Sequence, residues 1–85
     1  MIVVKSERFK KEFEALPKPT QERARKQLAL FLENPRHPSL QVKKMEGHAG
    51  LWEGRITRAY RFTFEMVGDA YNMRRIGPHD ILKNT

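Results

Sequence analysis

One stretch, Leu51 to Phe64 (LWEGRITRAYRFTF), limits the possible folds of this chain more than any other. Read as a pleated hairpin, it places Trp52, Ile56, Tyr60, Phe62 and Phe64 on one face. Glu53, Arg55, Arg61, Thr63 and Glu65 fall on the other. Both apolar sets stay together only if the turn centres on Arg58, because a one-residue slip would move one strand's apolar set to the wrong face. In that register Ile56 faces Tyr60, and Arg55 stands directly opposite Arg61. Like charges paired across strands destabilise a sheet. An anion is therefore expected to compensate, either a carboxylate such as Glu53 or a ligand phosphate. The loop Thr57-Arg58-Ala59 holds no glycine, although a three-residue hairpin loop usually takes a left-handed residue.

The rest of the chain fits around this hairpin. Ile2-Val3-Val4 reads as a short strand. Ser6 can cap a helix carrying Phe9, Phe13 and Leu16 at helical spacing. Pro17-Lys18-Pro19 stops it. Thr20 is expected to cap a second helix, with Ala24, Leu28, Phe31 and Leu32 on its buried side, and Asn34-Pro35 ends that helix. Arg36 to Ser39 reads as a loop, Leu40 to Met45 as a strand and Gly47 to Gly50 as a turn. Gly68-Asp69 fits a two-residue hairpin turn that sets Phe64 opposite Met73 and Met66 opposite Tyr71. Arg75 and Ile76 break the alternation, so a bulge or strand end is expected there, and Gly77-Pro78 closes the sheet. The expected fold is α+β: an N-terminal strand, a two-helix hairpin, then three to four mostly antiparallel strands with the helices on one face.

At 85 residues, the chain is expected to form a single domain spanning 1–85. Cysteine is absent, which removes disulfides and thiolate metal sites. The three histidines are widely separated, so no metal motif and no cofactor is expected. The N-terminal Ile2-Val3-Val4 is far too short for a signal peptide, and no apolar run could span a membrane. A soluble, cytoplasmic protein is expected. Lys and Arg number 17 against 10 acidic residues, a formal charge of +7. A domain this basic meets nucleic acid or an acidic partner, or merely carries a solvated basic surface. The helix charges fit that last description best.

The candidate chemistry lies on the polar face of the sheet. Lys43, Arg55, Arg61 and Arg74 would converge there without matching carboxylates, an arrangement suited to a phosphate on which negative charge builds. Arg58 at the turn and Lys44 would add to the phosphate-binding surface. His79, near the end of the last strand, could act as general acid or base, and Asp80 could orient it or add a charge. Each has a plainer alternative. Arg61 could pair with Glu53 or Glu65 in a surface ladder. A lone loop histidine such as His79 is more often structural or solvated. His37 and His48 read as ordinary surface residues. Trp52 reads as core or core-edge rather than as a base-stacking platform.

The segments SERFKKEFEAL, NPRHPSLQVKKMEG, LWEGRITRAYRFTF and RRIGPHDIL together resemble the RelE/ParE superfamily of toxins from type II toxin–antitoxin pairs. The resemblance covers nearly the whole chain, and Trp52-x-x-Arg55-Ile56 followed by Tyr60-Arg61-Phe62 is its most specific part. It implies the same helix-pair-on-sheet fold. For RelE-like members it implies metal-independent cleavage of mRNA on the ribosome, in which the 2′-hydroxyl attacks the neighbouring phosphate. Arg61 matches the family arginine that holds the scissile phosphate. Arg55 matches a recurrent basic position, and His79 matches a C-terminal acid–base histidine. Lys43 and Lys44 fall in a loosely aligned region of catalytic groups. Many nucleases of the family carry a tyrosine beside or just after the histidine, where this chain has Asp80, Ile81 and Leu82.

The leading expectation is thus a toxin that acts as a ribosome-dependent mRNA endoribonuclease and inhibits translation. Its implied partners are a cognate antitoxin, whose acidic segment would cover the basic face, and mRNA on the ribosome. The rival readings are a ParE-like, non-enzymatic inhibitor of DNA gyrase and a toxin-like binding module without activity.

Overall fold

Ser6 ends the first strand and starts the first helix. Its Oγ accepts the backbone N–H of Phe9 at 3.0 Å, so it closes β1 (Ile2–Lys5) and caps α1 (Glu7–Glu14). The computed structural model describes residues 2–83. Phe9 is the buried anchor of α1, and Leu16 follows just beyond its end.

The next helix, α2 (Lys18–Glu33), starts earlier than expected. Pro17 precedes it and Pro19 lies in its first turn, where a missing N–H breaks no intrahelical bond. Thr20 is therefore inside the helix and does not cap it. The buried stripe of α2 is Gln21, Ala24, Gln27 and Phe31, with Leu28 partly buried. Leu32, expected inside, is 48% exposed. Gln21 is buried for a reason: its Nε2 donates to the carbonyls of Phe13, Glu14 and Leu16 at 3.0–3.2 Å. Those carbonyls lie at and just past the end of α1, where the helix itself leaves C=O groups short of donors, so one side chain ties the helix hairpin together.

After Asn34 the chain makes a short 3₁₀ turn, Pro38–Leu40, capped by His37, whose Nδ1 accepts the N–H of Ser39 at 3.2 Å. Gln41 is left-handed (φ 45°). The 3₁₀ turn and this kink reduce the strand expected over Leu40–Met45 to β2 (Lys43–Lys44). Three strands follow as consecutive hairpins: β3 (Leu51–Arg55), β4 (Tyr60–Val67) and β5 (Ala70–Pro78). The sheet order is β1-β5-β4-β3-β2, antiparallel except that β1 runs parallel to β5.

The registers match those read from the alternation. Arg55 pairs with Arg61 and Trp52 with Phe64; Phe64 pairs with Met73 and Met66 with Tyr71. Gly68 takes φ 58° at the first loop position, as a two-residue hairpin turn with glycine leading requires. Thr63 pairs with Arg75 while Phe64 pairs with Met73, so Arg74 is the extra residue of a β-bulge. This is the break in alternation expected near Arg75.

Residues paired across strands share a face, so the pairings sort the sheet's two sides. On one side Phe62, Phe64, Tyr71, Met73 and Ile76 form the core with Phe9, Ala24 and Phe31 of the helices. The Phe31 ring lies 5.3, 4.8 and 4.7 Å from those of Phe62, Phe64 and Tyr71. The Phe62 ring occupies the space beside Gly54, where a Cβ would run into it. The other side carries Arg55, Arg61, Glu53, Thr63 and Lys43, and it is only partly open. The C-terminal 3₁₀ turn, His79–Lys83, lies against β4 and β5. Ile81 is 6% exposed, with Cγ2 2.9 Å from where a Cβ on Gly77 would stand. Gly77 pairs with Arg61, which places Ile81 on the arginine face.

Candidate phosphate-binding site

Two rows of paired residues cross the arginine face. Arg55, Arg61 and Gly77 form the first, and Lys43, Glu53, buried Thr63 and Arg75 form the second. The first row ends beside the β3–β4 loop. His79 reaches the same end of the sheet, because its backbone N–H donates to Ala59 C=O at 2.8 Å, one step past the Tyr60–Pro78 pair. Its imidazole is on an exposed residue. Strand register thus sets Arg55 and Arg61 side by side on one face, and the backbone bond of His79 ties the start of the C-terminal turn to the same end of the sheet.

Among the described residues neither Arg55 nor Arg61 forms an ion pair with a carboxylate. The surface ladder with Glu53 or Glu65 is not formed. Burial holds the Arg61 guanidinium below its ordinary pKa, the Arg55 charge lowers it further, and Glu53 acts in the opposite direction. The group remains a cation at neutral pH. Both compensations considered for the like-charge pair therefore bear on the structure: Glu53 offsets it at a distance, and an anion between the arginines would offset it directly.

Arg61 has protein partners, but they are carbonyls. Its Nη1 donates to the C=O of Thr57, of Arg58 (2.9 Å) and of Tyr60 (3.0 Å). These bonds explain how a loop without glycine can close. Ile56 and Thr57 N–H both donate to Tyr60 C=O, so two residues oppose one and the strand ends in a bulge. A tight turn follows in which Tyr60 N–H donates to Thr57 C=O at 3.3 Å and no residue of the loop needs a positive φ. Thr57 Oγ1 accepts the N–H groups of Ala59 and Tyr60, both at 3.2 Å.

The remaining sequence candidates separate. Lys43 pairs with Glu53 and shares the arginine face. Lys44 pairs with Trp52 on the opposite side, its Nζ 5.6 Å from the Trp52 ring centre, and so does not join the site. Trp52 itself stacks on Phe64 at 6.3 Å and is half-buried, a core-edge residue. Arg58 is exposed at the loop tip. Arg74, on the bulge, forms an ion pair with Glu65 at 3.5 Å, so it does not converge on Arg61 as an unmatched cation. Asp80 pairs with Lys83 at 3.8 Å, with both side chains largely in solvent, and its carboxylate is thus engaged away from His79. Among the described residues no three His, Cys, Asp or Glu side chains cluster to hold a metal ion.

Two supporting contacts escaped the sequence reading. Gln27, 4% exposed, donates Nε2 to Arg55 C=O at 3.1 Å and pins the end of β3 to α2. Its signal was a polar residue interrupting the Ala24–Leu28–Phe31 stripe. Glu12 of α1 grips Arg75 (Nη2 to Oε2, 2.6 Å) and accepts Ile76 N–H at 3.4 Å, covering an edge of β5 beyond the reach of β1.

A strand, a helix hairpin and a four-strand meander make up an architecture found among solved toxin structures. E. coli YafQ superposes with a TM-score of 0.78 at 13% identity, covering 94% of each chain. The chain has the RelE/ParE toxin fold. A YoeB/ParE toxin from Agrobacterium tumefaciens is 19% identical, covering 93% of this chain and 99% of its own, with a TM-score of 0.77. The RelB–RelE antitoxin–toxin complex from Methanococcus jannaschii contributes a chain 18% identical, covering 95% of both, at 0.76. No family model and no curated protein matches the sequence. The toxin-fold likeness therefore lies in the backbone far more than in shared residues. No helix among the described residues is long and apolar enough to cross a membrane.

Proposed function

We propose that this chain is the toxin of a type II toxin–antitoxin pair and cleaves mRNA on the ribosome as an endoribonuclease. The observation that carries this reading is the Arg55–Arg61 pair, free of carboxylate partners among the described residues, at the end of the sheet where His79 stands. A scissile phosphate bound there would supply the missing anion. In the reaction the 2′-oxygen of the preceding ribose forms a bond to phosphorus and the bond to the 5′-oxygen breaks. The products are a 2′,3′-cyclic phosphate and a 5′-hydroxyl. Arg61 and Arg55 would stabilise the pentacoordinate oxyanion, whose charge exceeds that of the ground state. His79 would move a proton to the leaving oxygen or from the attacking one. Lys43, on the same face one row away, and Arg58 at the loop tip would hold flanking phosphates.

The partner in this reading is an antitoxin, as in the RelB–RelE and DinJ–YafQ complexes. An acidic segment would cover the arginine face. On the helix side, an apolar groove of about 540 Å³ lined by Phe9, Phe13, Leu28 and Leu32 has three cations, Lys5, Lys10 and Arg25, and one acid, Glu14, along it. An amphipathic helix with acidic flanks suits its chemistry.

The test is incubation of the purified protein with ribosomes programmed with mRNA, followed by mapping of the cut ends. Wild type is expected to cut, and Arg61→Ala and His79→Ala are expected to lose most of the activity. An uncut message with all three proteins removes the nuclease reading. Inhibited supercoiling by wild type would then select the gyrase reading, which the absence of a tyrosine at Asp80, Ile81 and Leu82 favours.

A further inference from the structure

Among the described residues, the side-chain hydrogen bonds of Arg61 are all made by one nitrogen. Nη1 donates to the carbonyls of Thr57, Arg58 and Tyr60, while Nε and Nη2 have no partner among the described residues. A guanidinium is a rigid planar fork, and Nε–H with Nη2–H forms the edge that matches two oxygens of a phosphate. Anchoring Nη1 fixes the plane and leaves that edge available. The carbonyls that do the anchoring belong to a turn with no glycine and no positive φ, closed by Thr57 Oγ1 through the N–H groups of Ala59 and Tyr60.

We propose that Thr57 is a positioning residue, whose hydroxyl-built turn clamps Arg61 by Nη1 and holds its Nε–Nη2 edge ready for a phosphate. The inference rests on the phosphate-binding role of Arg61 proposed above. Thr57 touches no substrate in it. It acts by lowering the entropy that a long side chain loses when it orders around its ligand. Neighbouring charges favour the same arrangement. Arg55 repels the fork across the strand pair, so an untethered Arg61 would swing away from the row; the turn's carbonyls oppose that motion.

The test uses nuclear magnetic resonance of the guanidinium together with cleavage, so that the two proposals fail separately. The Arg61 signals are assigned by their loss in Arg61→Lys. In wild type the two Nη resonances are expected to be distinct, because Nη1 is held, and inorganic phosphate is expected to move the Nε–Hε signal. Averaged Nη resonances in wild type, or an Nε–Hε signal unmoved by phosphate at any concentration that shifts other arginines, would overturn the proposal without any variant. Thr57→Val removes the acceptor at constant volume and should average the Nη signals. It should weaken phosphate binding and, where wild type cleaves, lower kcat by about 10- to 100-fold, the penalty expected of a loosened catalytic group. Thr57→Ser keeps the hydroxyl and should restore all of these to near wild type. A Thr57→Val protein with distinct Nη signals and full phosphate binding would also overturn the proposal. If wild type binds phosphate through a held Arg61 but cuts no message, the nuclease reading fails and the clamp stands.

Discussion

Replacing Arg55 by methionine should make the fold more stable while weakening its hold on phosphate. Arg55 stands opposite Arg61, and its charge is the second cause, after burial, that lowers the Arg61 pKa; Glu53 opposes both. Methionine keeps an unbranched apolar stem of similar reach, so the half-buried strand surface remains covered. The backbone carbonyl of Arg55 still receives Gln27 Nε2. What disappears is the cross-strand repulsion, worth about 0.2–1 kcal/mol for a directly opposed pair. The loss of attraction between Arg55 and Glu53 returns part of that, which favours the lower half of the range. For a domain of this size that lower half corresponds to a rise of about 1–5 °C in Tm. The assay is thermal unfolding at low salt and at 1 M salt, where the screening length falls to about 3 Å and most of the gain should vanish. A parallel titration with inorganic phosphate should show weaker binding. A less stable Arg55→Met protein, or a gain that salt leaves untouched, would refute the claim that the two arginines are an unrelieved like-charge pair.

Other consequences follow from the same contacts. Gln27→Ala leaves Arg55 C=O without its buried donor and should cost about 1–3 kcal/mol in denaturant unfolding, with no change in the charge of the arginine face. Phe31→Ala, which empties the centre of a three-ring contact, should cost about 3–5 kcal/mol by the same measurement. Leu32→Glu should leave Tm within about 1–2 °C of wild type, because the side chain is half in solvent, yet should reduce capture of the cognate antitoxin in a co-purification assay.

The parts of this fold that follow local rules were legible in the sequence. Period-two alternation set both hairpin registers, since Phe62 and Phe64 can face Phe31 in only one of the two phases. Gly68-Asp69 and Ser6 marked a turn and a cap by their own chemistry. What escaped was non-local or backbone-borne. The pairing of β1 with β5 joins residues near opposite ends of the chain, and Glu12 meets Arg75 across 63 positions. No local propensity encodes either. The fate of Arg74 depended on where the bulge falls: as the extra residue it reaches Glu65, whereas strict alternation put it beside Arg61. Lys44 was misplaced because adjacent strand residues face opposite ways, so it and Lys43 could never both belong to one site. The Arg55–Arg61 pairing was readable because the hairpin's alternation fixes its register, and Gly77-Pro78 marked where β5 ends and the turn carrying His79 begins.

The role proposed for Arg61 is entangled with a structural one, and the usual alanine test confounds them. Its Nη1 bonds help hold a turn that lacks the conventional glycine, while its free edge is the one a phosphate would use. Arg61→Ala removes both; the Thr57 and Tyr60 carbonyls keep their backbone N–H partners, and the carbonyl of exposed Arg58 turns to water. The stability loss should therefore stay at about 1 kcal/mol. Much of it is offset by relief of the repulsion from Arg55. The two effects have opposite signs and different salt dependence, because the repulsion is screened and the lost hydrogen bonds are not. Arg61→Ala should therefore lie close to wild type in stability at low salt and fall below it at 1 M salt. If cleavage is lost under conditions where the two melting curves coincide, the deficit belongs to the phosphate edge of Arg61. A variant that melts well below wild type at every salt concentration would instead make Arg61 chiefly the brace of the β3–β4 turn.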